Sequence, residues 1–241
     1  MITCRSQSEI EKLRRVNQLV GRILADLRAM VRPGVTTQEL DAFAEGQVRV
    51  AGAEPAFKGY HGYPATICAS VNEQVVHGIP SKRPLVAGDI LSIDMGARLE
   101  GFYGDCAVTV PVGDVAPAAR QLLKVTEESL FRGIEAVKPG ARVSDIGAAV
   151  QAHVEAHGFS VVREFVGHGI GTSLHEEPQI PNYGAPRRQP EAEFHPRARR
   201  RSGSPRAEPA GRDARKNRRE AVGRTSRVRR GGRTAQVRRE V

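Results

Sequence analysis

The first half of this 241-residue chain opens with apolar side chains three or four positions apart. This spacing over residues 8–31 predicts an amphipathic helix. Ser6 and Glu9 provide a capping box at its start, and the Pro-Gly pair that follows should end it. A second helix should begin after Thr36, again with a capping box, here to Glu39.

The same pattern returns later in the chain. The string RPGVTTQELDAFAEGQVRVAG at 32–52 aligns without gaps to KPGARVSDIGAAVQAHVEAHG at 138–158, an offset of 106 residues. Each copy follows an amphipathic segment, 8–31 or 117–137. Two amphipathic helices with a Pro-Gly break look alike by chance, and this alternative stays open. We interpret the repeat as an α/β (α+β) domain with two pseudo-two-fold halves.

Strand-like sequence lies between and after the two copies. Thr66–Val71, Ile90–Met95 and Phe102–Val110 are predicted strands, and the last two should form a hairpin through residues 98–101. Phe159–Val166 is a fourth predicted strand. By the symmetry of the repeat, the second half should contain its own hairpin near residues 200 and 211.

Charge and composition change this picture only near the C-terminus. The formal net charge is +10, but residues 1–186 hold 18 basic and 21 acidic residues, while residues 187–241 hold 19 and 6. Residues 187–241 contain no Leu, Ile or Met, so they cannot bury enough apolar surface to offset the cost of ordering. We expect a folded domain over 1–186 and a disordered, basic, low-complexity tail over 187–241.

Cysteine usage and the N-terminus indicate a compartment. Cys4, Cys68 and Cys106 are widely spaced and form no CxxC pair, so no disulfide framework or zinc-finger spacing is present. The N-terminus lacks an apolar signal core, and no run approaches 18 apolar residues. A reducing cytoplasm and no membrane are therefore expected.

Two aspartates on the predicted hairpin are candidate ligands. Asp94 should face away from Ile93 and Met95 because side chains alternate along a strand. A four-residue turn centred between Leu99 and Glu100 would put Asp94 nearly opposite Asp105, about 5 Å away at Cβ. Two carboxylates so placed need a cation or a shared proton. Two surface aspartates beside a turn are the alternative.

Histidines and aromatic residues supply the other candidates. His168 lies among glycines in GHGIG, where it either faces a cavity or is structural. His175 precedes two glutamates, which either orient its ring or face solvent. His77 lies between a β-branched run and Gly78. The string FKGYHGYPATIC forms either ordinary core or the wall of an apolar pocket, and its relevant side chains are Phe57, Tyr60, His61, Tyr63 and Cys68.

Together these residues resemble the methionine aminopeptidases, specifically the short bacterial type I form. The resemblance runs from about residue 5 to 186. It rests on GYHGYPATICASVNEQVVHGIP at 59–80, GDILSIDMGARLEGFYGDCAVTV at 88–110 and FSVVREFVGHGIGTSLHEEPQIPNYG at 159–184. Related creatinases and proline peptidases are a rival family, which VNEQVVHGIP argues against. The resemblance implies the pita-bread fold and removal of the initiator methionine from nascent proteins, at the ribosome, by a monomer.

The resemblance also implies roles for the candidate residues. Asp94 would chelate one of two divalent metal ions, Asp105 would bridge both, and His168 would bind the other. Co, Mn, Fe, Zn and Ni are all possible identities. His77 and His175 would be the catalytic histidines that contact substrate. The methionine pocket would involve Phe57, Tyr60, Tyr63 and Cys68, and a monovalent cation would lie near Asn72.

The C-terminus departs from the family. Two further glutamate ligands should follow residue 184, one in a Glu-Pro pair, yet the sequence there is Arg-rich and Glu208-Pro209 lacks a strand context. An inactive remnant whose basic tail binds RNA or the ribosome without sequence preference is the alternative function. We hypothesise a reading-frame shift near Gly184–Arg187. The hypothesis fails if neither other frame of the gene encodes the two missing glutamate strands.

Overall fold

Two capped helices open the structure. The computed structural model describes residues 2–185 and 236–237. Helix α1 spans Gln7–Met30 and helix α2 spans Thr37–Val50. Both predicted capping boxes form: the Glu9 N–H lies 3.4 Å from Ser6 Oγ, and the Glu39 N–H lies 3.2 Å from Thr36 Oγ1. These hydrogen bonds confirm the predicted helix starts. The starts could be predicted because a capping box depends on residues close in sequence.

An antiparallel sheet follows the two helices. It consists of β1 (Glu54–Pro55), β2 (Ile67–Val71), β3 (Ile90–Leu99) and β4 (Phe102–Pro111). The long strand β3 pairs with each of the other three. A short 3-10 turn at Tyr60–Gly62 separates β1 from β2. The three strands predicted in this region are confirmed, and β3 continues four residues beyond the predicted end.

The main core lies between this sheet and the two helices. Along β3, Leu91, Ile93 and Met95 are fully buried, while the alternate residues Ser92 and Asp94 are only half-buried on the other face. The predicted alternation is therefore confirmed. Helices α1 and α2 cover the buried face with Val16, Val20, Leu27, Leu40 and Val48.

The hairpin between β3 and β4 has a different register from the one predicted. Its turn contains two residues, Glu100 and Gly101, both with positive φ as a type I′ turn requires. Asp94 consequently pairs with Ala107, and Asp105 pairs with Gly96. The prediction that the aspartates lie nearly opposite each other is wrong by two positions. They are diagonal neighbours on one face, about 7–8 Å apart in such ladders.

The second pair of helices repeats the first. Helix α3 spans Pro117–Glu135 and helix α4 spans Val143–Ala156. The Arg142 N–H donates to Asp145 Oδ2 at 2.9 Å, just as the Thr36 N–H donates to Glu39 Oε2 at 2.8 Å, 106 positions earlier. The buried positions of α3 also lie 106 residues beyond buried positions of α1; they are Val125, Thr126, Ser129 and Gly133. These correspondences support the predicted two-fold duplication.

The strands of the second half are short. They are β5 (Ser160–Val161), β6 (Gly167–Gly169), β7 (Glu176–Ile180) and β8 (Gln236–Val237). The predicted strand Phe159–Val166 is confirmed only at β5, which pairs in parallel with β8. The sequence did not predict β8, which falls in the expected tail. The hairpin expected near 200 and 211, and the rest of the tail, lie outside the described residues.

No helix in the described ranges combines the length and the apolar character needed to cross a bilayer. This finding concerns α1 to α4 alone. The longest of them, α1, carries a buried stripe but also many charged residues on its outer face. Its amphipathic character suits packing against the sheet.

Gly147 gives a stability test of the second half. A Cβ at this position of α4 would lie under 3.0 Å from the carbonyl oxygens of Pro181 and Tyr183. We expect Gly147→Ala to lower the free energy of unfolding by about 1–3 kcal/mol through overpacking. Urea unfolding of the full chain measures this. The control is Gly46→Ala on α2, where nothing lies within 4 Å and alanine should stabilise by up to about 1 kcal/mol. Equal effects of the two substitutions would contradict the prediction.

Candidate metal centre and substrate cleft

One cleft of about 1020 Å³ collects all the candidate catalytic, metal and pocket residues. The sequence presented them as three separate strings, and the fold brings them to a common wall. They are Phe57, Tyr60, Tyr63, Cys68, His77, Asp94, Asp105, His168 and His175. Their proximity is a structural finding, whereas the individual role of each residue stays a prediction.

The hairpin and the GHGIG segment together form a possible metal centre. Asp94 on β3 and Asp105 on β4 point from the same face of the sheet. His168 on β6 places its Nε2 atom 3.7 Å from Asp105 Oδ2, and the two side chains are only 12% and 14% exposed. Nδ1 of His168 donates to the carbonyl oxygen of Gly169 at 3.0 Å. Because a carbonyl oxygen only accepts, Nδ1 carries the proton of this hydrogen bond, and Nε2 is the ring nitrogen that faces Asp105.

The donor set suits a divalent transition metal. Carboxylate oxygens and a neutral imidazole nitrogen are ligands that Mn, Fe, Co, Ni and Zn accept. Two ligands held about 2.0–2.2 Å from a common ion lie about 3–3.5 Å apart. The separation of 3.7 Å between His168 and Asp105 is close to that range. The hydrogen bond from Nδ1 also orients the ring, as a partner of a metal-bound histidine does.

A carboxylate fixes the loop between His168 and His175. Glu176 accepts hydrogen bonds from the N–H groups of Thr172 at 2.7 Å and Ser173 at 3.0 Å, and it pairs with Arg5. The Arg5 guanidinium lies so close to Gly171 that a Cβ there would collide with it. The sequence left open whether this acid orients His175 or faces solvent. In the structure it instead binds the loop backbone.

The surroundings of Glu176 control its ionisation. Burial alone would raise its pKa, but the Ser173 N–H and the Arg5 guanidinium outweigh burial. The pKa of Glu176 is therefore lowered from its ordinary value of 4.5. The residue is ionised at neutral pH, which strengthens each hydrogen bond that it accepts.

His175 has an aromatic partner, Tyr60. Its Nδ1 atom lies 2.9 Å from Tyr60 Oη, and the two rings stack with centroids 5.5 Å apart. The His168 ring is also adjacent to His175, with ring centroids 4.2 Å apart. Tyr60, predicted only as a pocket residue, thus holds His175 beside the candidate metal centre.

An apolar pocket adjoins this centre. Phe57, Cys68 and Leu174 are buried together with Ala56, so the segment predicted as either core or pocket wall is both. The Tyr63 hydroxyl lies 2.9 Å from the carbonyl oxygen of Ile67 and 3.0 Å from that of Gly78, and donates to them. Burial raises the pKa of Tyr63 far above its ordinary value.

His77 lines the cleft together with three further residues, two of which the sequence did not single out. His77 has a positive φ of 57°, a sparsely populated conformation for a non-glycine residue. Its ring lies edge-on to Phe165, with centroids 6.4 Å apart. Glu164, Phe165 and Glu177 also line the cleft. Glu177 is one of the two acids already noted after His175, whereas Glu164 and Phe165 could have been identified by their position shortly before GHGIG.

Comparisons with known proteins agree with this arrangement. The model of metallopeptidase family M24 matches residues 11–197. Methionine aminopeptidase 1 of Bacillus subtilis is 50% identical over 190 residues, which are 79% of this chain and 77% of that protein. Methionine aminopeptidase A of a Synechocystis species is 53% identical over 184 residues, 76% of this chain and 73% of that one. The crystal structure of methionine aminopeptidase from Thermotoga maritima superposes with a TM-score of 0.78 at 42% identity, covering 80% of this chain and 78% of that one.

The fold and the match over residues 11–197 thus define a metallopeptidase, a class that implies divalent metal ions. The identities of about 50% narrow the class further. The chain belongs to metallopeptidase family M24 and, within it, to the methionine aminopeptidases. The predicted family and its pita-bread fold are confirmed, and the rival proline peptidase interpretation is set aside.

Replacing Glu176 should reveal the contribution of the loop anchor. A lowered folded-state pKa means that ionised Glu176 stabilises the fold above pH 4.5, and that this stability is lost as the pH falls through the folded value. We expect Glu176→Gln to lower the free energy of unfolding by about 1.5–3 kcal/mol at pH 7, the range for a hydrogen bond to a charged group.

The measurement is urea unfolding of both proteins at pH 7 and pH 3.5. The difference in free energy of unfolding between wild type and Glu176→Gln should be smaller at pH 3.5 than at pH 7. Glu155→Gln, at an exposed position of α4, serves as control and should show little gap at either pH. A gap for Glu176→Gln that is independent of pH would show that its charge is not the stabilising feature.

Proposed function

We propose that this chain removes the N-terminal methionine of proteins by hydrolysing their first peptide bond, with divalent metal ions as cofactors. The carrying observation is the single cleft in which two carboxylates and an imidazole adjoin a buried apolar pocket. The names of the relatives, methionine aminopeptidases at about 50% identity, support the same activity. Nothing observed in the described residues favours the inactive remnant.

Three side chains would hold the metal ions. We assign chelation of one ion to Asp94, bridging of two ions to Asp105, and binding of the second ion to Nε2 of His168. When bound, such ions polarise a carbonyl group and lower the pKa of a water molecule to near neutrality. We propose two ions, and Co, Mn, Fe, Zn and Ni are the candidate identities.

The apolar pocket would bind the methionine side chain. Phe57, Cys68 and Leu174 provide a buried surface, and Tyr63 is fixed at its edge by backbone carbonyls. Burying a methionine side chain contributes about 1.5–3 kcal/mol. A thioether also packs well against aromatic rings and sulfur. Such a pocket would select methionine over shorter or charged first residues.

Two histidines would contact the polar part of the substrate. We assign His175 to the carbonyl oxygen of the scissile bond and His77 to the amine or amide nitrogen of the substrate. His175 is held by Tyr60 and lies against His168, so its ring is oriented before substrate binds. Such preorganisation is where electrostatic stabilisation of a developing charge is most effective. The left-handed backbone at His77 is consistent with a functional constraint there.

The resemblance implies two further glutamate ligands beyond residue 184, but neither expected motif occurs in the sequence there, and Glu208 lies outside the described residues. Glu164 and Glu177 are carboxylates that do line the cleft. Each would be available as a proton acceptor near the metal centre, a function that a positioned carboxylate can serve. We do not assign them as ligands.

The cellular setting is part of the same proposal. We propose that the chain acts as a monomer in the cytoplasm, on nascent chains at the ribosome, with nucleic-acid contact confined to its basic C-terminal residues. A monovalent cation near Asn72 remains part of the proposal. Asn72 Oδ1 accepts the Ile90 N–H at 2.9 Å, and its Nδ2 donates to Asp89 at 2.8 Å, so the segment is well fixed for such a site.

Asp105→Asn tests the metal centre. The full chain should release methionine from a Met-Ala-Ser peptide when cobalt or manganese is added, and Asp105→Asn should lower kcat/KM by at least about 10²-fold. The control Asp26→Asn changes an exposed aspartate of α1 and should retain activity. Isothermal titration with manganese gives a second readout, in which Asp105→Asn should bind fewer ions. Absence of methionine release by wild type with any of the five metals would support the inactive remnant.

Tyr60→Phe tests the orientation of His175. The substitution keeps the stacked ring but removes the hydroxyl 2.9 Å from Nδ1. Loss of one such hydrogen bond is worth about 0.5–1.5 kcal/mol, so kcat should fall about 2- to 12-fold with KM little changed. Tyr183→Phe, outside the cleft, should leave kcat unaltered. A change in KM alone would instead assign Tyr60 to substrate binding.

A further inference from the structure

A second cluster of metal-ligand side chains lies away from the cleft. Glu128 on α3, His153 on α4 and His157 at the end of α4 place one ligand atom each within 4.8 Å of the others. None of the three lines the cleft that holds Asp94 and Asp105. The cluster is therefore not accounted for by the proposed hydrolysis.

The spacing of the cluster suits a tetrahedral ion. Nε2 of His153 lies 3.2 Å from Glu128 Oε2, and the rings of His153 and His157 are 4.5 Å apart at their centroids. Ligands about 2.0–2.2 Å from a tetrahedral ion are separated by about 3.2–3.6 Å, so the first pair already has the required spacing. His157 is exposed, and its Nδ1 atom donates to the carbonyl oxygen of His153 at 2.8 Å. Its other ring nitrogen, Nε2, would therefore bind the ion.

The local backbone favours a cation at this position. Two histidines four residues apart lie on one face of a helix, an arrangement that binds zinc in many enzymes. His157 caps the C-terminus of α4, where the helix dipole attracts positive charge. Lys124 approaches the other carboxylate oxygen, Oε1 of Glu128, at 3.9 Å. Glu128 Oε2 is therefore left to face His153.

We propose that Glu128, His153 and His157 form a peripheral binding site for a divalent transition metal such as zinc, which links α3 to α4. The ion would take three protein ligands and complete its shell with water. Zinc prefers this mixture of imidazole and carboxylate donors. The inference is independent of the proposed peptidase activity.

An ion bound at this place would stabilise the packing of α3 against α4. The buried apolar cluster that α4 contributes among the described residues is small, with Val150 and Val154 packed against Leu122, Phe159 and Val161. The first half instead buries a continuous core from α1, α2 and the sheet. A metal ion that binds only the folded state stabilises it by mass action. Zinc would therefore add to the limited apolar packing between α3 and α4.

Counting bound zinc tests the site. The full chain is freed of metal with a chelator, dialysed to equilibrium against zinc chloride, and its zinc content is measured by atomic emission. His153→Gln and His157→Gln should each bind one zinc ion per chain fewer than wild type. Glu127→Gln removes an exposed carboxylate next to Glu128 and should bind the wild-type number.

Two further measurements make the outcome decisive. Zinc should raise the melting temperature of wild type and of Glu127→Gln more than that of either histidine variant. Circular dichroism of the metal-free variants confirms that they fold, and His157, being exposed, tolerates replacement even if His153 does not. Equal zinc content in wild type and both histidine variants would overturn the proposal and leave the cluster as a hydrogen-bonded contact. Asp105→Asn should affect zinc binding in the cleft alone. Adding His153→Gln to Asp105→Asn should therefore still remove one further zinc ion per chain.

Discussion

The antiparallel register of β3 and β4 is the constraint on which the rest of the structure depends. The turn at Glu100 and Gly101 sets it, and the strands then place Asp94 and Asp105 on the cleft face. A slip of one residue would turn every side chain of a strand to the opposite face. It would bury an aspartate where Ile93 now packs and would disrupt both the core and the candidate metal centre. Stability and candidate chemistry thus rest on the same hydrogen bonds.

The candidate centre also needs the two halves to meet accurately, because its aspartates come from one half and His168 comes from the other. The Tyr103 N–H on β4 donates to the Gly171 carbonyl oxygen at 2.8 Å, which ties the hairpin to the loop after His168. Glu176 holds the opposite end of that loop through Arg5, a residue that precedes α1. Neither contact joins residues close in sequence. Both fix the segment of the candidate ligand His168, which would otherwise depend on a flexible loop, since short segments with few buried apolar contacts open easily.

The sequence predicted those features that depend on local chemistry. The capping boxes at Ser6 and Thr36 and the alternation around Asp94 are set by residues a few positions apart, and all are confirmed. The exact register of the hairpin was missed because a positive φ at Glu100 cannot be anticipated from glutamate. The partnership of Tyr60 with His175 joins residues 115 positions apart, and no short-range pattern encodes it. The grouping of nine site residues came from resemblance to a family, which carries long-range information that periodicity lacks.

The duplication shows how one backbone plan acquires different tasks at equivalent positions. Asp41 on α2 accepts hydrogen bonds from the N–H groups of Thr66 and Ile67 at 2.8 and 2.9 Å, and so fixes the start of β2. The position 106 residues later is Gly147, which instead admits the carbonyl oxygens of Pro181 and Tyr183 against α4. An amide donor is replaced by a carbonyl acceptor, so a carboxylate at 147 would face a repelling dipole as well as lack space. The Pro-Gly breaks and helix caps preserve the symmetry in the sequence, whereas the contacts that position His168 and His175 lie where the halves have diverged.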